Sequence, residues 1–321
     1  MGSACTNRKA VVQLLIVVLL TAVAADILFV EGQFVGFYGL TCPRAEATVT
    51  QVVSDAIQRD PSIAAGLVRL LFHDCFVQGC DGSILLDRPG GEKSAVPNQT
   101  VRGYEVIDDA KAAVEAICPG VVSCADIVAL AARDAVVLTG GPTWQVPTGR
   151  RDGRVSNALT ATISLPLPTL TTPILTQIFL SHGLSQDEMI TLSGAHTIGR
   201  AHCSAFSNRL ALNDPTLDSA YAAELRAACP TANSQGTVPL DPTTPFTFDN
   251  NYFTNLAANR GLLTSDQDLF NNLGSQFLSN LDSTNANLWQ VKFTAAMVHL
   301  STLNVKFGAL GEIRKNCRAT N

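Results

Sequence analysis

Apolar residues return every three or four positions through most of this chain, the spacing of a single buried helical face. One such stripe runs from Ala45 to Gln58, just after Pro43, and Asp60-Pro61 interrupts it before Ile63, Leu67, Leu70 and Leu71 begin the next. The second stripe carries Arg69 and His73 four residues apart, so a cation and a base look into one space that Phe72 can wall. The pattern predicts further helices over about 104–117, 123–139, 173–181, 185–192, 217–227, 250–258, 266–271, 274–282 and 287–301. Between them, 84–101 reads as a long surface loop rich in Pro, Gly and polar residues, 144–152 as a short extended piece and turn, and 161–172 as irregular chain. In the stretch 213–251, heavy in Pro, Asp, Asn and Thr, only the helix near 217–227 is predicted. Strand signals are few and no internal repeat is present, so the fold is expected to be mainly α.

The first residues break this pattern. Arg8 and Lys9 precede the apolar run Val11 to Leu20, and small residues follow at Ala22 to Ala25. That is the basic, apolar, small-residue order of a signal peptide, and the run is shorter than the ~20 residues a membrane span needs. Residues 1–32 are expected to be removed, with the cut after Ala24, Ala25 or Gly32, leaving 33–321 as an exported domain with no membrane segment.

Charge and cysteines narrow the picture further. The formal net charge is −5, and the leader removes Arg8 and Lys9 against Asp26 and Glu31, so it does not change on cleavage. Mild acidity argues against a nucleic-acid partner, which would need a concentrated basic face. Of the nine cysteines, Cys5 leaves with the leader. The other eight, in an oxidising compartment, read as four disulfides whose pairing the spacing leaves open. Metal thiolates are a poor alternative, because the one close pair, Cys75 and Cys80, lies among hard oxygen donors.

The stretch after His73 holds Asp74, Asp81, Ser83 and several backbone carbonyls in a loop, which suits a hard cation held by oxygens. An imidazole beside a guanidinium suits cleavage of an O–O bond: the histidine moves a proton between the oxygens and the arginine stabilises the separating charge. The pair lacks an electron source. A second histidine, His196, follows an apolar helix and would suit a haem iron if its other ring nitrogen met a carboxylate. Asp266 is a candidate, although a helix-start acid is as readily a plain N-cap.

Six motifs together resemble the plant secretory, or class III, haem peroxidases. They are Leu70-Leu-Phe-His-Asp-Cys-Phe-Val-Gln-Gly-Cys-Asp81, Val122-Ser-Cys-Ala-Asp126, Gly149-Arg-Arg-Asp152, Leu192-Ser-Gly-Ala-His-Thr-Ile-Gly199, Phe248-Asp-Asn250 and Ser265-Asp-Gln267. The likeness spans nearly all of 33–321. It implies a two-lobed, mainly α fold with haem b between the lobes and few short strands. By the same resemblance, His73 is the distal acid–base catalyst, Arg69 the charge stabiliser and Phe72 the guard of the haem edge. His196 becomes the proximal iron ligand, with Asp266 accepting its other N–H. Asn98 is expected to fix the tautomer of His73, supported by a hydrogen bond from Glu92, and Pro166 to offer a backbone acceptor to small phenols. Two calcium ions are implied, a distal one on Asp74, Val77, Gly79, Asp81 and Ser83, and a proximal one on Thr197, Asp241, Thr244, Thr247 and Asp249. The implied disulfides are Cys42–Cys118, Cys75–Cys80, Cys124–Cys317 and Cys203–Cys229.

Asn98-Gln-Thr100 is also the one N-x-S/T sequon in the sequence. A glycan would keep Asn98 from lying buried beside His73, so the two roles exclude each other, and the reading here is no glycan. His182, His202 and His299 match no motif role and read as capping or surface residues, and Trp144 and Trp289 as core. The expected activity is reduction of H2O2 with one-electron oxidation of small phenolic donors, by a monomer in the extracellular space or cell wall. The chain ends four residues after Cys317 without the extension that sends some relatives to the vacuole. A disulfide-stapled binding protein on the same scaffold would be expected to lack Arg69, His73 or His196. A peroxidase used chiefly to make reactive oxygen would keep the same pocket.

Overall fold

The computed structural model describes residues 32–211, 214–232 and 234–321, so the predicted leader lies outside the described residues. Strand β1 (Phe34–Val35) opens the described chain. Helix α1 (Ala45–Arg59) buries Ala45, Val49, Val53 and Ala56, the stripe legible in the sequence. Asp60 ends it and turns the chain by accepting from the backbone N–H of Ser62 at 3.0 Å. Helix α2 (Ile63–Cys75) follows and carries Arg69 and His73. Helices α3 (Tyr104–Ile117) and α4 (Cys124–Leu138) complete a group in which α1 packs on α3 and α4, and α2 on α4. Because α4 has helices on several sides, it is buried nearly all round, and its apolar Ala-Val run serves that position.

Polar groups fix the start of α4. Ser123 accepts from the N–H of Asp126 as an N-cap, and the carboxylate of Asp152 accepts from the N–H groups of Cys124 and Ala125 at 3.1 and 2.9 Å. Strand β2 (Pro147–Thr148) pairs antiparallel with β1, with Phe34 opposite Thr148.

Helix α5 (Ala158–Ser164) corrects the expectation of irregular chain from 161 onward: Asn157 caps it through Thr160 N–H at 3.0 Å. Helices α6 (Thr172–Ser181) and α7 (Gln186–Ser193) follow as predicted, α7 opening on a capping box of Ser185 and Glu188. Strand β3 (Arg200–His202), helix α8 (Ser207–Ala211), helix α9 (Ser219–Ala228) and strand β4 (Thr237–Pro239) come next, with β3 and β4 antiparallel. The sequence pattern had shown only α9 among these. Helices α10 (Asn251–Ala257), α11 (Thr264–Asn271), α12 (Leu273–Thr284) and α13 (Ala286–Leu300) form the second group, α10 and α11 on α12, and α7 on α13. Trp289 is fully buried there, stacked on Phe248, with its indole N–H donating to Thr191 O at 3.1 Å. Gly194 is required at this junction, since a Cβ on it would lie 2.7 Å from the Trp289 indole nitrogen.

All four implied disulfides are present, and Cys124–Cys317, separated by 193 residues, ties the start of α4 to the C-terminal segment. The segment 84–101 is only in part the surface loop its composition suggests, with Asp87 to Gly90, Ser94, Val96, Gln99 and Thr100 exposed. It forms two short 3-10 turns, Glu92–Ser94 and Val96–Asn98, and it buries Leu85, Glu92, Ala95 and Asn98. Among the described residues no helix is long and apolar enough to cross a membrane.

Candidate active site

The i, i+4 spacing on α2 brings Arg69 and His73 into direct contact, with Arg69 Nε donating to His73 Nε2 at 3.0 Å. Two acceptors from the 84–101 segment hold the rest of the guanidinium. Nη1 donates to Thr100 Oγ1 and Nη2 to the carbonyl of Pro97, both at 2.9 Å. On the other side of the imidazole, His73 Nδ1 lies 2.5 Å from Asn98 Oδ1. The Asn98 amide donates to the backbone carbonyl of Glu92 at 2.9 Å, which commits its NH2 and leaves its oxygen as the acceptor. Asn98 Oδ1 therefore accepts a hydrogen bond from Nδ1–H, and Nε2 is the ring nitrogen left basic. Glu92 supports Asn98 as expected, but through its main chain. Its buried carboxylate oxygens have no hydrogen-bond partner, and burial, followed by the nearby Asp74 and Asp81, pushes this acid up to about 8.

Burial, and then the Arg69 cation, push His73 down to about 3, against the hydrogen bond it donates to Asn98. The imidazole is thus neutral at ordinary pH, with a free lone pair offered towards Arg69. Phe72 packs against Phe76 and Phe179 with ring centroids 4.2 and 6.0 Å apart, forming an aromatic wall beside the pair. His182 caps the C-terminus of α6, as expected, with Nδ1 2.9 Å from Ile178 O, and it also stacks on Phe76 with Nε2 3.1 Å from Phe76 O.

His196 sits in a 3-10 turn, Gly194–Thr197, at the end of α7. Its Nδ1 lies 2.8 Å from Asp266 Oδ1, on α11 seventy residues away. Asp266 is both the helix-start acid and the partner of His196: Oδ2 accepts from the N–H of Leu263 at 3.0 Å, while Oδ1 also accepts from the Tyr252 hydroxyl at 3.0 Å. Tyr252, which motif reading did not single out, is fully enclosed, and burial followed by Asp266 holds its hydroxyl protonated. His196 Nε2 makes no hydrogen bond among the described residues. An imidazole with Nδ1–H on a buried carboxylate and Nε2 unengaged fits an axial haem ligand.

The oxygen clusters also assemble. Asp74, Asp81 and Ser83 are fully buried next to α2, and Ser83 Oγ has no partner. Asp74 accepts from Gly82 N–H at 2.8 Å, and burial together with Asp81 raises its carboxyl. Gly79 has φ +108, and a Cβ there would lie 2.5 Å from Asn304 O, so only glycine fits that turn. In the other cluster, Thr197 Oγ1 and Thr244 Oγ1 each lie 3.1 Å from Asp249 Oδ1 and within 3.4 Å of Asp241 Oδ2. Asn251 and Asn255, absent from the sequence reading, brace the two carboxylates at 3.1 and 2.9 Å. Thr247 reaches the cluster through its backbone N–H on Thr244 O at 3.1 Å. Two buried or half-buried sets of carboxylate and hydroxyl oxygens are the donor chemistry of a hard divalent cation. Pro166 lies half-buried between α5 and α6, without a contact that ties it to either histidine.

Sequence comparison agrees with this geometry. The family model described as peroxidase matches residues 49–280. Peroxidase 5 of Vitis vinifera is 50% identical over 299 residues, covering 89% of this chain and 91% of that protein. Peroxidase 27 of Arabidopsis thaliana is 45% identical over 324 residues, 98% of this chain and 99% of its own length. Peroxidase 1 of Zea mays is 49% identical over 304 residues, 89% of this chain and 83% of that one. Family membership implies haem and reduction of hydrogen peroxide. The chain belongs to the peroxidase family, among the plant class III peroxidases.

Proposed function

We propose that this peroxidase is exported, works as a monomer with haem b and two calcium ions, and takes electrons singly from small phenolic donors. The observation that carries the residue roles is one continuous line of hydrogen bonds, from Glu92 O through Asn98 and His73 to Arg69. It leaves a neutral imidazole with Nε2 as the base. H2O2 entering beside Arg69 would take over the Nε2 contact and lose the proton of one oxygen to His73, which returns it to the other as that oxygen leaves as water. Arg69, still anchored on Thr100 and Pro97, stabilises the charge that separates as the O–O bond breaks.

His196 would hold the haem iron through Nε2, and Asp266 would draw its Nδ1–H to give the ring anionic character. When bound, the haem supplies the two electrons that reduce the peroxide and recovers them from two donor molecules. Two electrons and two protons per peroxide yield two waters, and each phenol leaves as a radical.

Asp74, Asp81 and Ser83 with the Val77 and Gly79 carbonyls, and Thr197, Thr244, Asp241 and Asp249 with the Thr247 carbonyl, would bind the calcium ions. Pro166 O would accept from the phenol hydroxyl. Export rests on the basic, apolar, small-residue order of residues 1–32, and the destination proposed is the extracellular space or cell wall. Asn98 would carry no glycan, its amide nitrogen being buried and committed. An absorption spectrum of the purified protein, followed by one equivalent of H2O2 and then a phenol, tests the whole reading. A Soret band that shifts with peroxide and recovers with phenol is expected, and a folded protein with no Soret band after haem addition would overturn it.

A further inference from the structure

The two oxygen clusters differ in one respect that their donor atoms do not suggest. Asp81 is already paired: Lys306 reaches it from the segment after α13 and donates from Nζ to Asp81 Oδ2. Among the described residues this is the only ion pair made by Asp74 or Asp81. Among the described residues Asp241 and Asp249 make none and meet only threonine and asparagine groups.

The lysine is held at this position. Its carbonyl accepts from Arg151 N–H at 3.0 Å, which fixes the backbone beside the Gly149-Arg-Arg-Asp152 segment. Its side chain is 25% exposed, so the ammonium sits at the mouth of the cluster with a route to water. Arg314 adds positive charge that also favours the Asp74 carboxylate, but its Nη2 donates to the carbonyls of Gly82 and Asp81 at 2.6 and 3.3 Å, and the direct ion pair is left to Lys306. Ser83 Oγ remains unpartnered, so the ammonium does not complete the oxygen shell.

We propose that Lys306 is a built-in competitor for the distal cation site, so that the two calcium sites of this protein differ in affinity. This rests on the calcium assignment made above. A divalent ion entering the distal cluster must either displace the ammonium from Asp81 or bind beside a like charge, and either route weakens it. The proximal cluster opposes its ion with no cation. At separations of a few ångströms, a like charge near the surface weakens binding by roughly tenfold or more. The distal ion, next to His73 through Asp74, becomes the exchangeable one, and the proximal ion, next to His196 through Thr197, the permanent one.

The test is calcium bound to the haem-loaded protein, measured by elemental analysis after equilibration in buffers of graded free calcium. Two equivalents with midpoints at least about tenfold apart are expected for the natural chain. Lys306→Met, which keeps the methylene stem, should move the weaker midpoint towards the tighter one, and Lys306→Arg, which keeps the charge, should leave it weak. Asp249→Asn should remove the tighter equivalent and spare the weaker. Two equivalents of one affinity, or a weaker midpoint unmoved by Lys306→Met, would overturn the role of Lys306 while leaving the calcium assignment in place. A protein that binds no calcium would overturn both.

Discussion

Replacing Asn98 by alanine tests the hydrogen-bond line at its centre. The substitution removes the acceptor 2.5 Å from His73 Nδ1 and the donor 2.9 Å from Glu92 O. Glu92 is 0% exposed and His73 5%, so neither freed group reaches bulk water. Each orphaned group costs about 1–3 kcal/mol, which appears first as lost stability. The kinetic cost arises separately. The bond to Asn98 raises the proton affinity of His73 against burial and Arg69, so without it the base is weaker. A hydrogen bond to a group that gains charge is worth about 1.5–3 kcal/mol, which slows proton transfer by roughly 10- to 100-fold. Stopped-flow measurement of the peroxide step at fixed haem occupancy should show that loss, with donor oxidation at saturating peroxide changed far less. Asn98→Asp keeps an acceptor and adds a negative charge, so it should restore proton abstraction from the peroxide, move the acid limb of the pH profile upward and slow the later return of the proton. An alanine variant that is fully haem-loaded and within twofold of the parent in the peroxide step would refute the reasoning.

The pH profile of the parent carries its own prediction. With His73 lowered to about 3, the rate of the peroxide step should be flat across neutral pH and fall in acid with a midpoint near that value, whereas a midpoint near the ordinary histidine value of about 6.5 would contradict a buried neutral base. The same shift has a sign for stability: between about 6.5 and 3 the unfolded chain binds a proton that the folded one refuses, so stability is full above that window and is lost by several kcal/mol on acidification through it, which urea midpoints can follow. Asp266→Asn removes the carboxylate that His196 Nδ1 and the Tyr252 hydroxyl share, and should raise the iron midpoint potential in spectroelectrochemical titration; an unchanged potential would remove Asp266 from that role. Replacing both Cys124 and Cys317 by serine opens a loop of 193 residues and should cost about 5 kcal/mol by chain entropy, against about 2 for the Cys75–Cys80 pair, a difference that denaturant midpoints resolve.

Legibility followed the range of the interactions. The Arg69–His73 contact needs only the helical period, and the sequence carries that directly. The buried stripes of α1 and α3 are legible for the same reason. The partners Asn98 and Asp266 are 25 and 70 residues from their histidines, so periodicity is silent on them and only whole motifs bring them forward. In the segment 84–101 polar composition points to exposure throughout, and the structure bears this out only in part. Asp87, Arg88, Ser94, Gln99 and Thr100 are exposed, but Glu92 and Asn98 are turned inward, Asn98 against His73, the case in which burial of a polar group is offset by hydrogen bonds. Helix α5 escaped notice because it buries only Ala161 and has no apolar stripe, its start being fixed by the Asn157 cap. Lys306 gave no local sign at all, since its partner lies 225 residues earlier.

The two histidines show how one side chain serves two purposes through its second nitrogen. Each Nδ1 is held by an oxygen from a distant segment, which fixes the tautomer and frees Nε2. The acceptors differ in charge. At His73 it is a neutral amide oxygen, which orients the ring without making it strongly basic, and burial with a neighbouring guanidinium keeps the proton off. Such a ring can take a proton from peroxide and surrender it within one turnover. At His196 the acceptor is a buried carboxylate braced by a tyrosine hydroxyl and a backbone N–H, which pushes electron density towards Nε2 and suits a lasting bond to a metal. Exchanging the acceptors should therefore exchange the tendencies. With aspartate at 98 the distal ring would hold a proton too long, and with asparagine at 266 the proximal ring would donate too little. For that reason the two substitutions should fail in different steps, the first in the release of the proton and the second in the potential of the iron.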